Sequence, residues 1–126
     1  MGDITNNFSY HEFACKCGVQ SCPLRDGKAI NKNLVYGLEL IRDGLGKPII
    51  PTSGCRCVYH NRSVGGVKHS LHLASSGCRA VDFLVTDAIE RYIITSIAIE
   101  IGFSVGISKD FMHLDNRGGD SKIFLY

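Results

Sequence analysis

The sequence predicts an α+β domain, a small and largely antiparallel sheet flanked by helices. Three observations predict it. Two stretches, 31–45 and 88–101, repeat apolar residues at helical spacing and carry start and stop signals at their ends. Several short apolar runs, bounded by glycine, proline or polar turns, read as strands and interleave with those helices. The length, 126 residues, suits one compact domain with a modest core and is too short for two.

Each element has a local reason. Ser9-Tyr-His-Glu12 has the form of a capping box, opening a short helical turn that runs into a cysteine-rich segment at about 9–24. Leu34, Leu38, Ile41 and Leu45 lie on one face of a helix, with Asn31 or Asn33 as its cap and Gly44 or Gly46 as its stop. Pro48 to Ser53 is a strand between prolines, which places it at a sheet edge. Cys57 to Val64 is a short helix that ends at Gly65-Gly66. Ala80 to Val85 is a second strand, apolar throughout except for Asp82. Asp87 with Glu90 caps a helix from Ala88 to Ile101 that Gly102 closes, with Ile89, Ile93, Ile97 and Ile101 on its apolar face, widened by Tyr92 and Ile94. Phe103–Ile107 and Asp110–Asp115 follow as strands around a turn at Ser108-Lys109, and Lys122–Tyr126 is a last strand.

Composition narrows the function classes. Apolar residues make up 44% and charged residues 21%, ordinary values for a soluble globular chain. A net charge of +2 is too small to argue for nucleic acid. No apolar run approaches a membrane span, and Met1-Gly-Asp-Ile-Thr lacks the blocks of a secretory signal, so the expectation is a chain made in the cytoplasm. Six cysteines, Cys15, Cys17, Cys22, Cys55, Cys57 and Cys78, are many for this size. Cys15-Lys-Cys17-Gly followed by Cys22 resembles a short metal knuckle, with Cys57 as the candidate fourth ligand. Buried thiols or disulfides, including a Cys55–Cys78 bridge, are the alternatives.

Chemistry concentrates in three places. Asp82 interrupts an apolar strand, and a buried carboxylate needs a partner, hydrogen bonds or a metal; an exposed edge-strand aspartate is the plainer alternative. His113 and Asp115 alternate with Met112 and Leu114, so both polar side chains share one strand face. His72 lies in a loop. Two imidazoles and a carboxylate, with a fourth position left to water, make one of the ligand sets of a catalytic zinc site. Convergence of His72, Asp82 and His113 would point to hydrolysis by a zinc-activated water.

Thr52-Ser-Gly-Cys-Arg56, then His60 to Leu73, then Ala80-Val-Asp82, and finally Phe111-Met-His113-Leu-Asp115 occur in that order. Together they resemble the zinc D-alanyl-D-alanine carboxypeptidase family. That family includes peptidoglycan-cleaving phage endolysins and vancomycin-resistance D,D-dipeptidases and shares its fold with the Hedgehog signalling domain. The resemblance runs from about Phe8 to Arg117 and is most specific between Ser53 and Leu73. It implies a single zinc peptidase-like domain over 1–126, with His72, Asp82 and His113 as Zn2+ ligands. It implies Arg56 as the group that binds the peptide carboxylate or steadies its carbonyl, a task suited to a guanidinium, with a structural salt bridge beneath the site as the alternative. Ser70 is a candidate to hydrogen-bond the substrate or a ligand, and His69 a candidate to steady the oxyanion.

Three departures accompany the resemblance. Nine residues, Leu73 to Val81, separate His72 from Asp82 where the family usually has about six, so Ala74-Ser-Ser-Gly-Cys reads as a loop insertion. Cys55 stands where the family tends to carry an aromatic residue. The general base is divided between Asp110, three residues before His113 as in relatives but needing a turn or bulge to face it, and Asp115, which faces the right way or backs a histidine ligand. The implied partner is the peptidoglycan stem peptide, cut by a D,D- or L,D-type carboxypeptidase or endopeptidase acting as a monomer. The setting would be a phage lysin or a bacterial wall-remodelling enzyme, reaching the wall after release or virion delivery. A non-catalytic zinc-containing binding module and a thiol-rich structural module are the rival classes.

Overall fold

The computed structural model describes residues 2–126; Met1 lies outside the described residues. A 3-10 turn, η1 (Tyr10–Phe13), is followed by helix α1 (Lys32–Leu45), strand β1 (Pro51–Ser53) and helix α2 (Val58–Ser63). A second 3-10 turn, η2 (Ala74–Ser76), precedes strand β2 (Ala80–Leu84) and helix α3 (Ala88–Glu100). Strands β3 (Ser104–Ile107), β4 (Phe111–Asp115) and β5 (Ile123–Leu125) complete the chain. The result is the α+β class, with one five-stranded sheet in the order β1-β2-β4-β3-β5. Three pairings are antiparallel and β3–β5 is parallel.

The caps act where the sequence places them. Glu12 accepts the Ser9 backbone N–H at 2.8 Å, Asn31 accepts from the Leu34 N–H, and Gly46 closes α1 in the left-handed region. Cys57 caps α2 through its sulfur, and Asp87 accepts from the Glu90 N–H. β1 is shorter than the proline-bounded run, and it forms an edge strand with a bulge between Pro51 and Ser53 that sets Ser53 opposite Asp82.

Strand parity divides the sheet into two chemically different faces. Val81, Phe83, Val105, Met112 and Leu114 are buried with Leu34, Leu38 and Ile41 of α1 and Ile94 and Ala98 of α3, forming the core. The opposite face carries Asp82 paired with His113, His113 paired with Gly106, and Gly106 paired with Phe124. Gly106 lets the aromatic wall sit close over the backbone there, since a Cβ would come within 2.6 Å of the Phe124 ring.

The apolar face of α3 differs from the periodicity reading. Ile94 and Ala98 are buried, Ile93, Ile97 and Ile101 are half-buried, and Ile89 and Tyr92 are exposed. A helix this rich in isoleucine offers two overlapping stripes, and packing against α1 and β3 selects the one through Ile94 and Ala98. No helix among the described residues is long and apolar enough to cross a membrane.

Candidate metal centre and cleft

His72, Asp82 and His113 converge. One ligand atom of each lies within 4.8 Å of the other two, and all three residues are buried. Asp82 and His113 are brought together by the β2–β4 ladder, where they are directly paired. His72 reaches them from a loop pinned to the sheet end: the Arg56 N–H donates to the His72 carbonyl at 2.9 Å, and Arg56 and Leu73 form a parallel bridge. Ser70 Oγ accepts the His72 backbone N–H at 3.2 Å, so Ser70 positions the ligand it was expected to assist. The nine-residue spacing is absorbed by η2 and a left-handed Gly77-Cys78 pair, and Cys78 returns to the core beside Cys55. All six cysteines are free thiols.

The hydrogen bonds behind the imidazoles assign their tautomers. His72 Nδ1 lies 2.7 Å from the Gly54 carbonyl, which can only accept, so Nδ1 carries the proton and the bare Nε2 faces Asp82 Oδ1 at 3.2 Å. His113 Nε2 donates to Asp115 Oδ2 at 2.7 Å, leaving bare Nδ1 facing the same Asp82 oxygen at 3.0 Å. Two lone pairs and an anion therefore point at one another, an arrangement that asks for a cation between them. With no cation between them, protons take that place. Burial would lower the basicity of His113, but hydrogen bonds to Asp115 and Asp82 outweigh it and raise its pKa. Burial likewise opposes ionisation of Asp82, yet the two histidines hold its carboxyl well below the usual range. The donor set fits zinc, with two nitrogens, one oxygen and a position left for water.

The second oxygen of Asp82 is occupied. Arg56 Nη2 donates to Asp82 Oδ2 at 3.1 Å, Nε to Ser53 Oγ at 2.9 Å and Nη1 to Asn61 Oδ1 at 3.2 Å. Each nitrogen of this guanidinium thus has a partner within the protein, and Arg56 holds a ligand from beneath while lining the cleft.

Asp115 is fully buried behind His113. Its oxygens accept from His113 Nε2 and, at 2.7 and 2.8 Å, from Arg117 Nη2 and Nε. Burial would raise its pKa, but Arg117 and His113 overcome that and set it at about 2. It sits on the side of the imidazole away from Asp82. Asp110 is exposed on the β3–β4 turn, one residue before Phe111, which lines the cleft.

The cleft encloses about 610 Å³. Arg56, His69, Arg117 and Lys122 line it, and Asp82 is the one acid among its described lining residues, so its walls favour an anion. His69 is exposed at its mouth. Phe124 and Tyr126 wall one side, with ring centres 5.5 and 6.3 Å from that of His113, and Arg117 lies 5.4 Å over Phe124. Arg117, Phe124, Tyr126 and Asn61 escaped the sequence reading. Arg117 alone had a signal, since it continues the alternation of His113 and Asp115. Cys15, Cys17, Cys22 and Cys57 also come together, away from this cleft.

No curated protein matches the chain. A model of the Peptidase M15 family matches residues 6–115, a span that contains η1, every helix, β1 to β4 and all three converging ligands. The chain therefore belongs to the Peptidase M15 family, the zinc-dependent D-alanyl-D-alanine carboxypeptidase type of metallopeptidase.

Proposed function

We propose that the protein hydrolyses an amide bond in the stem peptides of bacterial cell wall, as a carboxypeptidase or endopeptidase, with His72, Asp82 and His113 holding its zinc. The observation that carries this reading is the convergence of His72 Nε2, Asp82 Oδ1 and His113 Nδ1, each backed by a fixed partner. Bound zinc would supply an acidified water and polarise the scissile carbonyl. The basic lining suits a substrate that carries carboxylates, as stem peptides do.

The protein groups divide the remaining work. Arg56 fixes Asp82 so that Oδ1 alone faces the ligand cluster. Arg117 and Lys122 offer the cleft's cationic contacts to a peptide carboxylate. We assign the proton transfer from water to the leaving amine to Asp110, the exposed acid beside cleft-lining Phe111. Two facts support this: Asp82 is engaged as a ligand, and Asp115 is sealed behind His113. The cysteine-rich segment shares the core through Cys15 and Cys22, which supports reading residues 1–126 as one domain.

The test is release of new amino groups from purified peptidoglycan under zinc-replete conditions. Wild type should release them and His113→Ala should not, and mass spectrometry of the fragments names the bond. No release by wild type would transfer the site to a non-catalytic, zinc-holding module.

A further inference from the structure

Four thiols of three separate segments meet at a place outside the lining of the cleft. Cys15 and Cys17 come from the loop after η1, Cys22 from the following turn, and Cys57 from the cap of α2. Their sulfurs all lie within 4.8 Å of one another, and none is in a disulfide. A tetrahedral zinc with four sulfurs at about 2.3 Å places them roughly 3.8 Å apart, so the cluster has the dimensions of a metal cage. Two disulfides would instead need each paired sulfur at about 2 Å.

The backbone around the sulfurs is arranged as for thiolates. The Val19 N–H donates to Cys17 Sγ at 3.4 Å, the Cys57 N–H to Cys15 Sγ at 3.4 Å and the His60 N–H to Cys57 Sγ at 3.3 Å. The Leu24 N–H donates to Cys22. Every sulfur therefore accepts an amide hydrogen, the type of contact that steadies negative sulfur. Gly18, directly after Cys17, has φ +76, which turns the chain back over the pair as a short knuckle requires.

We propose that Cys15, Cys17, Cys22 and Cys57 form a closed tetrathiolate zinc site, separate from the cleft, that ties the cysteine-rich loop to the start of α2. With four protein ligands the site has no position for water, so its role is structural. Its reach toward the cleft runs through one peptide bond. Cys57 follows Arg56, and Arg56 holds Asp82.

Metal analysis of the full-length protein, purified with reductant and without chelator, tests the proposal. Wild type should carry one zinc for each of the two ligand groups. His113→Ala should keep the thiolate-bound ion, and Cys17→Ser should lose it while Cys55→Ser does not. Cobalt-loaded His113→Ala should show the near-ultraviolet thiolate charge-transfer bands of a four-sulfur site, a readout that stands even if Cys17→Ser fails to fold. Metal-free His113→Ala without those bands on cobalt loading would overturn the proposal, as would bridged cysteines in the intact mass of reductant-free protein. Because His113→Ala removes the cleft site, failure here and failure of the peptidase reading are separate results.

Discussion

Replacing Asp115 by asparagine tests what stands behind His113. The substitution keeps the volume of a fully buried side chain and removes its charge. Asp115 now accepts from His113 Nε2 on one side and from Arg117 Nε and Nη2 on the other. An amide has one accepting end, so either orientation sets its NH2 against a donor. The loss is one charge-assisted hydrogen bond, worth about 1.5–3 kcal/mol. The same interactions hold the Asp115 carboxyl at about 2, below its ordinary value of 3.8, a preference for the charged form of about 2 kcal/mol. Both routes agree with the ~10–100-fold loss of metal affinity typical when a group behind a ligand is removed. Competition against a chromogenic chelator should therefore show zinc binding to Asp115→Asn weakened by ~10–100-fold. Asp110→Asn should bind zinc as wild type does and lose ~100-fold or more in turnover. If Asp115→Asn holds zinc like wild type yet fails to hydrolyse peptidoglycan, Asp115 is the proton acceptor and the assignment to Asp110 falls.

Arg56→Lys leaves one ammonium to serve Ser53, Asn61 and Asp82. Steady-state peptidase kinetics should show kcat/KM lower by ~10-fold or more, with the loss in kcat, because the change acts through a ligand rather than through substrate. Leu114→Ala removes a fully buried side chain from the core beneath the site; urea denaturation should find ~2–5 kcal/mol less stability. Gly106→Ala drives a methyl into Phe124; denaturation should show a cost of ~1–3 kcal/mol, and an unchanged midpoint would mean that β5 yields freely.

The sequence made legible those features that rest on short-range rules. Asn31, Gly46 and Asp87 mark helix ends because caps are local chemistry, and alternation alone turned His113 away from Met112 and Leu114. Features set by the return of distant chain were hidden. β5 pairs parallel with β3 and brings Phe124 and Tyr126 over His113, and no periodicity within 122–126 announces which neighbour that strand will choose. Arg56 was legible as a site residue, but the three acceptors that hold it lie 3, 5 and 26 residues away in the chain. Asp115 shows the same limit. Its parity placed it on the right face, while the depth that seals it behind His113 comes from packing.

The widened His72–Asp82 interval also bears on engineering. His72 is held from upstream by Arg56 and Gly54, and Asp82 is held by its ladder with His113, so each has an anchor outside the chain joining them. Leu73 and Cys78 are buried at the two ends of that chain, while Ala74, Ser75 and Gly77 are exposed. This short arc is therefore a graft point: an epitope or a wall-binding peptide inserted between Ser75 and Gly77 should be tolerated by both anchors. The number of residues between two ligands is a poor ruler for a metal site when each ligand is surveyed from its own landmark.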